Sequence, residues 1–342
     1  MKDHNAIITE RKQHFGSKLA ILGHHYQTDD VIRHTDLRGD SLELARKISG
    51  LEADYVVFCG VYFMAESAAI VSRPEQKIHI PDVSAGCTMS NMAPSALVEA
   101  VLNKLTAKGR KIIPLTYVNS SAGVKAVCGK FGGTVCTSAN AEKMLKWAMA
   151  QGDGVLFLPD KNLAQNTAVT LGIPAEKQHI LDIRGGGAMV DLDKAAHADL
   201  VIWPGLCSIH HKFSMGHINA VRQQNPDAKI VIHPESKPEV VTASDSAGST
   251  SHIIKYVADA PEDATIYIGT ETSLVNRLKN EYAGRKTILP LAESYCLNMG
   301  KVTESKLAGL LQNLEATPSV KVSSAVKEPA GLALQRMLDV CS

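Results

Sequence analysis

Short apolar runs alternate with amphipathic stretches along most of the chain, and this alternation occurs three times in similar form. In each copy an apolar run leads into a polar triplet: LAIL into His24-His25-Tyr26, IIPL into Tyr117-Val118-Asn119, and IVI into His233-Pro234-Glu235. Short apolar runs separated by helical stretches of about ten to fifteen residues are typical of βαβ units, in which helices cover a parallel sheet. Because each copy of a repeat must be one packed unit, the pattern predicts three similar αβα units.

Each copy continues in the same order after its triplet. A small hydroxyl residue opens a helical pattern, a second apolar strand follows, and a third strand leads into a cysteine. The hydroxyl residues are Ser41, Ser138 and Thr250; the second strands are YVVFC, VLFL and TIYI; the third strands are KIHI, LVIW and TIL; the cysteines are Cys87, Cys207 and Cys296. The first residue of the triplet and the hydroxyl residue are 17, 21 and 17 residues apart in the three copies. The hydroxyl residue and the cysteine are 46, 69 and 46 residues apart. The outer copies match, and the middle copy carries an insertion.

The repeat also predicts the domain organisation. We expect units at 1–92, 93–210 and 211–299, with the insertion near 172–199 and with helices in 300–342 packing back on the first unit. The triple glycine that follows Arg184 in the insertion indicates a turn rather than a lid, and we expect this segment to be the most mobile. Ligands of parallel sheets bind beyond the carboxyl ends of the strands. Three units about a pseudo-threefold axis would therefore share one central active site.

Composition and charge exclude several function classes. The 342 residues include 36 basic and 35 acidic ones, which gives no sign of a nucleic acid partner or a membrane surface. No apolar run approaches the roughly 18 residues of a membrane span, and the opening MKDHNAIITERKQ resembles a polar helix rather than a signal peptide. We therefore expect a cytoplasmic protein. Seven cysteines, an odd number, favour reduced thiols with metal or catalytic roles.

The three recurring cysteines predict a shared metal site. A single buried cysteine is usually a small core residue, and this interpretation fits Cys59, Cys128, Cys136 and Cys341. The other three cysteines recur at one place in the repeat. Three thiolates could hold zinc with an open fourth position, or three corners of an iron-sulfur cube, and spacing alone does not distinguish these sites. Dispersed cysteines and all-thiolate ligation favour a 4Fe-4S cluster whose free iron acts as a Lewis acid.

The hydroxyl residues and the triplets predict the remaining chemistry of the site. Ser41, Ser138 and Thr250 are ordinary helix caps when each is considered alone. Three helix N-termini directed at one point, however, supply roughly 1.5 positive charges, which matches the roughly 1.5 to 2 negative charges of a phosphate monoester. The cavity is thus expected to bind a phosphate or a polycarboxylate. A histidine near a strand is often structural, but Glu235 beside His233 is a plausible general base, since a buried carboxylate is costly unless it is used or paired.

Nine short strings together give the chain a family resemblance. They are GHHYQ, GDSLELA, FMAESA, CTMSNM, LTYVNS, TSANA, PDKNLA, IHPES and SYCLNM, running from His24 to Met299. In this order they resemble the quinolinate synthase family, iron-sulfur enzymes of de novo NAD biosynthesis. The resemblance implies three αβα domains about a pseudo-threefold axis with the cluster on that axis. It also implies that iminoaspartate and dihydroxyacetone phosphate condense to quinolinate, phosphate and two waters, with transient contact to an aspartate-oxidising enzyme that supplies the imine.

The resemblance implies a role for individual residues as well. The cluster ligands match Cys87, Cys207 and Cys296. The family residues assigned to proton transfer correspond to Tyr26, His233 and Glu235. Those that orient the substrate correspond to His24, Tyr117 and Asn119. Phosphate and carboxylate contacts match Ser41, Ser138, Ser249 and Thr250. The chain departs from the family pattern where His25 replaces the usual Asn, where the C-terminal cysteine cluster of some members is absent, and where the middle insertion is longer.

Two other interpretations remain open from the sequence. One is a different three-unit iron-sulfur enzyme, such as hydroxymethylbutenyl diphosphate reductase or the radical enzyme of diphthamide synthesis. The other is a non-catalytic sensor or carrier that uses its cluster and cavity to bind a small anion. The two enzyme alternatives need an electron donor, whereas the condensation does not, so a reductant requirement distinguishes them. A sensor has little use for six polar residues on matched loops.

Overall fold

Three parallel sheets make up the core of the protein. The computed structural model describes residues 3–48 and 50–341. The strands in these residues are β1 (Leu19–His24), β2 (Leu37–Gly39), β3 (Tyr55–Cys59), β4 (Lys77–His79), β5 (Ile112–Tyr117), β6 (Thr134–Cys136), β7 (Gly154–Leu158), β8 (Gln178–Ile180), β9 (Leu200–Ile202), β10 (Lys229–Ile232), β11 (Ser246–Ala247), β12 (Thr265–Gly269) and β13 (Thr287–Pro290). All of the strand pairs are parallel.

Helices connect the strands of each sheet. They are α1 (His4–Phe15), α2 (Asp29–Ile32), α3 (Ser41–Ile48), α4 (Tyr62–Val71), α5 (Thr88–Asn91), α6 (Ser95–Thr106), α7 (Ala122–Lys130), α8 (Ala141–Met149), α9 (Lys161–Thr170), α10 (Arg184–Gly187), α11 (Leu192–His197), α12 (Ser208–His211), α13 (Met215–Gln224), α14 (Pro238–Ala243), α15 (Thr250–Asp259), α16 (Thr272–Glu281), α17 (Glu304–Gln312) and α18 (Ser324–Val340). Short 3₁₀ turns occupy Gly16–Lys18, Ala175–Lys177 and Met299–Lys301.

The strand order is the same in all three sheets. It is β2-β1-β3-β4 in the first, β6-β5-β7-β9 in the second and β11-β10-β12-β13 in the third, with β8 added outside β9. This arrangement confirms the predicted α/β class with three αβα units. The predicted strands of each repeat correspond to three strands of each sheet. The pattern missed the edge strand that pairs with β1, β5 or β10. These edge strands, β2, β6 and β11, have only two or three residues and no apolar run.

The central strands are apolar on both faces because helices cover both faces of each sheet. Every residue of β1, β5 and β7 is buried. A parallel strand buried on both sides needs an unbroken apolar run rather than an alternating one. The same burial forces the polar triplets to begin only where the strands end, which places the triplets at the carboxyl edges of the sheets.

The two C-terminal helices pack on different sheets. Leu307 and Leu311 of α17 share a core with Ile8 of α1, beside the first sheet. In contrast, Ala333 and Leu334 of α18 belong to the core of the second sheet. The expectation that both helices join the first unit therefore differs from the contacts of α18. The boundaries 1–92, 93–210 and 211–299 remain a prediction.

The insertion extends the second sheet. Residues 172–199 contain β8 and α11, and β8 pairs with β9 at the sheet edge. The nominal helix α10 is a turn, since Gly185 and Gly186 have φ values of 61° and 63° in the left-handed region that glycine tolerates. Lys104 donates to the carbonyl of Gly187 at 2.9 Å and ties this turn to α6. In the part of the chain that the structure describes, no helix is long and apolar enough to cross a membrane.

Candidate active site

One cavity lies where residues from all three units meet. Its volume is about 480 Å³, and it is lined by loops that follow the strands of each sheet. The residues predicted from the sequence that line it are His24, Tyr26, Cys87, Tyr117, Asn119, Ser138, Cys207, His233, Glu235, Thr250 and Cys296. The structure thus brings eleven residues from distant parts of the sequence together. None of the insertion residues 172–199 is among the described residues that line the cavity.

The three remaining details of the hydroxyl prediction differ in outcome: the place of Ser249, the side chain of Ser41 and the helix start at Ser138. Ser249 caps α15 by accepting a hydrogen bond from the backbone N–H of His252 and does not line the cavity. Ser41 is the first residue of α3, but its side chain lies outside the described part of the structure. Ser138 lines the cavity from a turn rather than from a helix, because α8 begins only at Ala141. The predicted helix start at Ser138 was therefore three residues too early.

Each of the three cysteines follows the last strand of the conserved order. Cys87 and Cys207 are the residues before α5 and α12, and Cys296 lies in the loop after β13. All three are half-buried. Burial raises the pKa of Cys87 to about 12, and burial raises the pKa values of Cys207 and Cys296 as well. Thiols in such a setting become thiolates only when a cation compensates the charge.

Two buried carboxylates hold the cysteine loops. Asp160 accepts from the backbone N–H of Cys207 at 2.9 Å, and Glu271 accepts from the backbone N–H of Cys296 at 3.2 Å. Each also caps a helix, because Asp160 accepts from the N–H of Leu163 and Glu271 from that of Ser273. Burial raises the pKa of both carboxyls. These residues follow β7 and β12, so each ties the cysteine loop of its sheet to a neighbouring strand.

Glu235 lies at the centre of a buried polar cluster. Its carboxylate contacts the Nδ1 atom of His210, and its Oε2 atom is 3.7 Å from Nδ1 of His233. Each of these three residues is only 2% exposed. The two imidazole rings stack with centroids 4.2 Å apart and an interplanar angle of 15°. Because Nδ1 of His210 faces a carboxylate, we assign the hydrogen on that ring to Nδ1.

The charge states in this cluster follow from burial and from hydrogen bonding. Burial favours a raised pKa for Glu235, but the neighbouring imidazoles, His210 first, and the Tyr117 hydroxyl reverse the effect and hold this pKa below its ordinary value. Burial lowers the pKa of His233 to about 3, so its ring is neutral at pH 7. Among the described residues, no group donates a hydrogen bond to Oε1 of Glu235. The carboxylate therefore keeps one free acceptor in a buried site.

Tyr26 links the first unit to the buried polar cluster around Glu235. Its hydroxyl lies 2.7 Å from Oγ1 of Thr270, 3.3 Å from Oγ1 of Thr250 and 3.4 Å from Nε2 of His210. Burial raises the pKa of Tyr26 above its ordinary value. The ring of His24 lies edge-on to that of Tyr26 at 4.7 Å, and burial lowers the pKa of His24 to about 3. At neutral pH, Tyr26 is consequently a proton donor and His24 is uncharged.

Sequence reasoning missed several residues of this site. His210 lines the cavity, and its ring, Cys207 and Glu235 offer ligand atoms within 4.8 Å of one another. The available signal was its position three residues after a predicted cysteine ligand, which is about one helical turn. Asp160 follows β7 and Thr270 follows β12, at places where the repeat pattern indicated no functional residue. Thr270 is fully buried and is within hydrogen-bonding distance of both Tyr26 and His210.

The fold and the site together define a three-unit α/β protein with thiols, imidazoles and a buried carboxylate around one central cavity. A family model described as Quinolinate synthetase A protein matches residues 6–339. A quinolinate synthase of Acidobacterium capsulatum is 42% identical over 97% of this chain and 92% of its own length. Relatives of the same name from Streptomyces coelicolor and Halalkalibacterium halodurans are also 42% identical, over 96% and 97% of this chain and 86% and 92% of their own lengths. The chain belongs to the quinolinate synthase family.

Proposed function

We propose that this chain condenses iminoaspartate with dihydroxyacetone phosphate to give quinolinate, phosphate and two waters. Family membership supports the reaction and favours it over the enzymes of other families that the sequence left open. The observation that carries the proposal is the convergence of three thiols, the Glu235 cluster and two hydroxyl residues on one cavity. Its volume of about 480 Å³ lies in the range typical of small-molecule sites.

The donor set fits a 4Fe-4S cluster held by Cys87, Cys207 and Cys296. All three thiols line one cavity and come from three different units, whereas structural zinc usually uses paired cysteines of one segment. His210 and Glu235 also lie near Cys207, but they contact each other and are thereby engaged. When bound through three thiolates, such a cluster supplies one iron that acts as a Lewis acid on the substrate.

The Glu235 and His210 pair is the proposed proton acceptor. The carboxylate holds the His210 ring through Nδ1, which leaves Nε2 as the basic atom on the side of Tyr26. This is the division of labour in which a carboxylate orients an imidazole that moves the proton. Tyr26 has a raised pKa and keeps its hydrogen, so we assign it the role of acid rather than base. Of the three residues that the resemblance links with proton transfer, Tyr26, His233 and Glu235, the geometry favours Glu235 as the base, acting with His210.

The other polar residues of the cavity have a proposed binding role. His24, Tyr117 and Asn119 would orient the carboxylates and the imine, since all three lie on triplets from the first two units. Ser138 and Thr250 would bind the phosphate, with Thr250 placed at the N-terminus of the ten-residue helix α15. Phosphate then leaves by elimination once the base has removed the neighbouring proton, and no hydrolytic group is needed. Tyr26 is positioned to donate a proton when hydroxide departs.

Turnover without reductant is the direct test of this proposal. The protein is purified without oxygen, its cluster is reconstituted, and dihydroxyacetone phosphate is added with iminoaspartate that an aspartate-oxidising enzyme generates in the same vessel. We expect quinolinate and phosphate in equal amounts with no electron donor present. Product that forms only when a reductant is supplied, or no product from a fully loaded protein, would overturn the proposal. The same mixture without this chain corrects for spontaneous condensation.

A further inference from the structure

The first triplet, residues 24–26, is held by a side chain of the third sheet's helix α16. Arg277 donates to the backbone carbonyls of His25 and Gln27, at 2.9 Å in the case of His25. It also donates to Asp29 at 2.7 Å, and its side chain is 13% exposed. Three hydrogen bonds from one guanidinium thus hold the loop that carries His24 and Tyr26 at alternate residues from 25 to 29.

The third triplet, residues 233–235, is held by two asparagines of α9. Asn162 donates to the carbonyl of Glu235 at 2.9 Å, and Asn166 donates to the carbonyls of Pro234 and Ser236 at 2.7 and 2.8 Å. Both asparagines are buried. Three consecutive carbonyls around the proposed catalytic carboxylate therefore accept hydrogen bonds from a helix of the second unit.

The loop of the second triplet, residues 117–119, is contacted from the first unit only where it runs into the next helix. Glu66 of α4 accepts from the backbone N–H of Ala122 at 3.1 Å, at the start of the helix that follows this triplet. Within its own unit, the fully buried Lys125 donates to the carbonyl of Val118 at 2.8 Å. The link from outside is weaker here, and an internal lysine adds to it.

These contacts form a cyclic pattern. The helices α4, α9 and α16 are equivalent, since each follows the third strand of its sheet, namely β3, β7 or β12. Glu66, Asn166 and Arg277 stand 7, 8 and 8 residues after those strands end. The first unit contacts the triplet loop of the second, the second contacts that of the third, and the third contacts that of the first. In each of these contacts, the side chain that holds a loop comes from a neighbouring unit and not from the unit to which the loop belongs.

We propose that Glu66, Asn162, Asn166 and Arg277, the loop-holding residues, are positioning residues that set each triplet loop from the neighbouring unit. They line no part of the cavity and touch no reacting group, so they act on catalysis only through the backbone of the triplet loops. The catalytic consequence rests on the proposed function, which places proton transfer on these loops. The orientation of Tyr26 thus depends on the third unit, and that of Glu235 depends on the second.

The physical reason is that a loop after a buried strand has few partners of its own. Loop carbonyls without partners leave the backbone free to move, and a misplacement of about 1 Å at a catalytic group can cost about a hundredfold in rate. A side chain from the adjacent unit fixes the loop relative to that unit as well. Because the cavity lies between units, this cross-unit link is what holds catalytic groups of different units at a constant distance.

Hydrogen-deuterium exchange tests the cyclic pattern without any assumption about the reaction. In Arg277→Gln we expect exchange of the loop after β1, residues 24–28, to rise about tenfold, since hydrogen bonds to a charged donor are lost, while the third unit's own loop at 233–237 keeps its protection. In Asn166→Ala the reverse is expected. Exchange should become faster at 233–237, and the exchange rate at 24–28 should not change. Lys279→Gln, on the exposed face of α16, and Gln165→Ala, on α9, are the matched controls and should change neither loop.

Steady-state kinetics then tests the catalytic consequence. Arg277→Gln should lower kcat about tenfold to a hundredfold, with a similar KM for dihydroxyacetone phosphate, and Arg277→Lys should recover part of the loss because an ammonium can still reach a carbonyl. Exchange that rises in both loops, in neither loop, or equally in the controls would overturn the proposal. A wild-type chain that forms no quinolinate would remove the proposed function, and the exchange pattern would still decide this inference.

Discussion

Glu235 is the residue on which the proposed proton chemistry depends. We expect Glu235→Gln to keep its iron and sulfide and to lose about 10²- to 10⁴-fold in kcat, the range by which a general base usually contributes. The amide cannot take up a proton, and it no longer offers His210 a negative charge. Glu239→Gln, an exposed carboxylate on α14, is the matched control and should retain full activity. Near wild-type rates in Glu235→Gln would make the carboxylate structural.

The convergence of the cysteines and the triplets on one cavity could be predicted from the sequence, whereas the place of His210 in that cavity could not. The cysteines and the triplets recur at matched places in a repeat, so three weak signals support one another. His210 has no counterpart in the other units, and its contact with Glu235 exists only once the chain is folded. The burial that changes its neighbours' pKa values is likewise a property of the fold rather than of the local sequence.

His79, away from the cavity, predicts part of the acid sensitivity of the fold. It is 1% exposed, and in the described part of the chain neither ring nitrogen has a hydrogen-bond partner. Burial lowers its pKa to about 4 from an ordinary value of 6.5. Between pH 6.5 and 4 the unfolded chain therefore binds a proton at His79 that the folded chain does not bind. The free energy of unfolding is unaffected by this group above about pH 6.5, and it falls by up to about 1.4 kcal/mol per pH unit between pH 6.5 and 4.

Denaturant unfolding of His79→Phe at several pH values measures this contribution. We expect the variant to be at least as stable as the wild type at pH 7.5 and to lose less stability between pH 6.5 and 5. His14→Gln, which removes an exposed histidine of α1, should leave the wild-type pH dependence intact. An unchanged slope in His79→Phe would assign the acid sensitivity to other groups.

Among the elements, α18 provides a sharp test of packing. It lies against α7 so closely that a Cβ atom on Gly129 would overlap the carbonyl oxygen of Pro329. We therefore expect Gly129→Ala to lower the free energy of unfolding by about 1 to 3 kcal/mol, the usual cost of an overpacked contact. Gly309→Ala is the control, since a Cβ atom there meets no other atom within 4 Å and the helix α17 should gain about 0.5 to 1 kcal/mol. Equal stability of the two variants in urea would contradict this packing.

The sequence predicted elements better than it predicted their partners. Long apolar runs such as those of β5 and β7 identify strands because full burial needs them, while the edge strand β11 has two residues and leaves no pattern. Helix periodicity shows that α18 has an apolar face but not which sheet receives it. The helix start near Ser138 was misjudged because Asn140, two residues on, is the cap of α8.

For the whole molecule, the repeated strand order explains why one cavity can collect residues from the entire chain. Each sheet delivers a triplet and a cysteine at its carboxyl edge, and the cross-unit contacts of α9 and α16 fix those edges to one another. The central claim is that Cys87, Cys207 and Cys296 hold a single inorganic centre between the units.

Iron and sulfide analysis after anaerobic purification tests that claim most directly. The account predicts about four iron and four sulfide per wild-type chain, as a cubane cluster requires. It also predicts a folded Cys207→Ser variant that lacks the iron-sulfur absorption, whereas Cys59→Ser, which alters a cysteine buried in the first sheet's core, should keep the cluster if it folds. Full iron and sulfide in Cys207→Ser, or zinc in place of iron in the wild type, would contradict it.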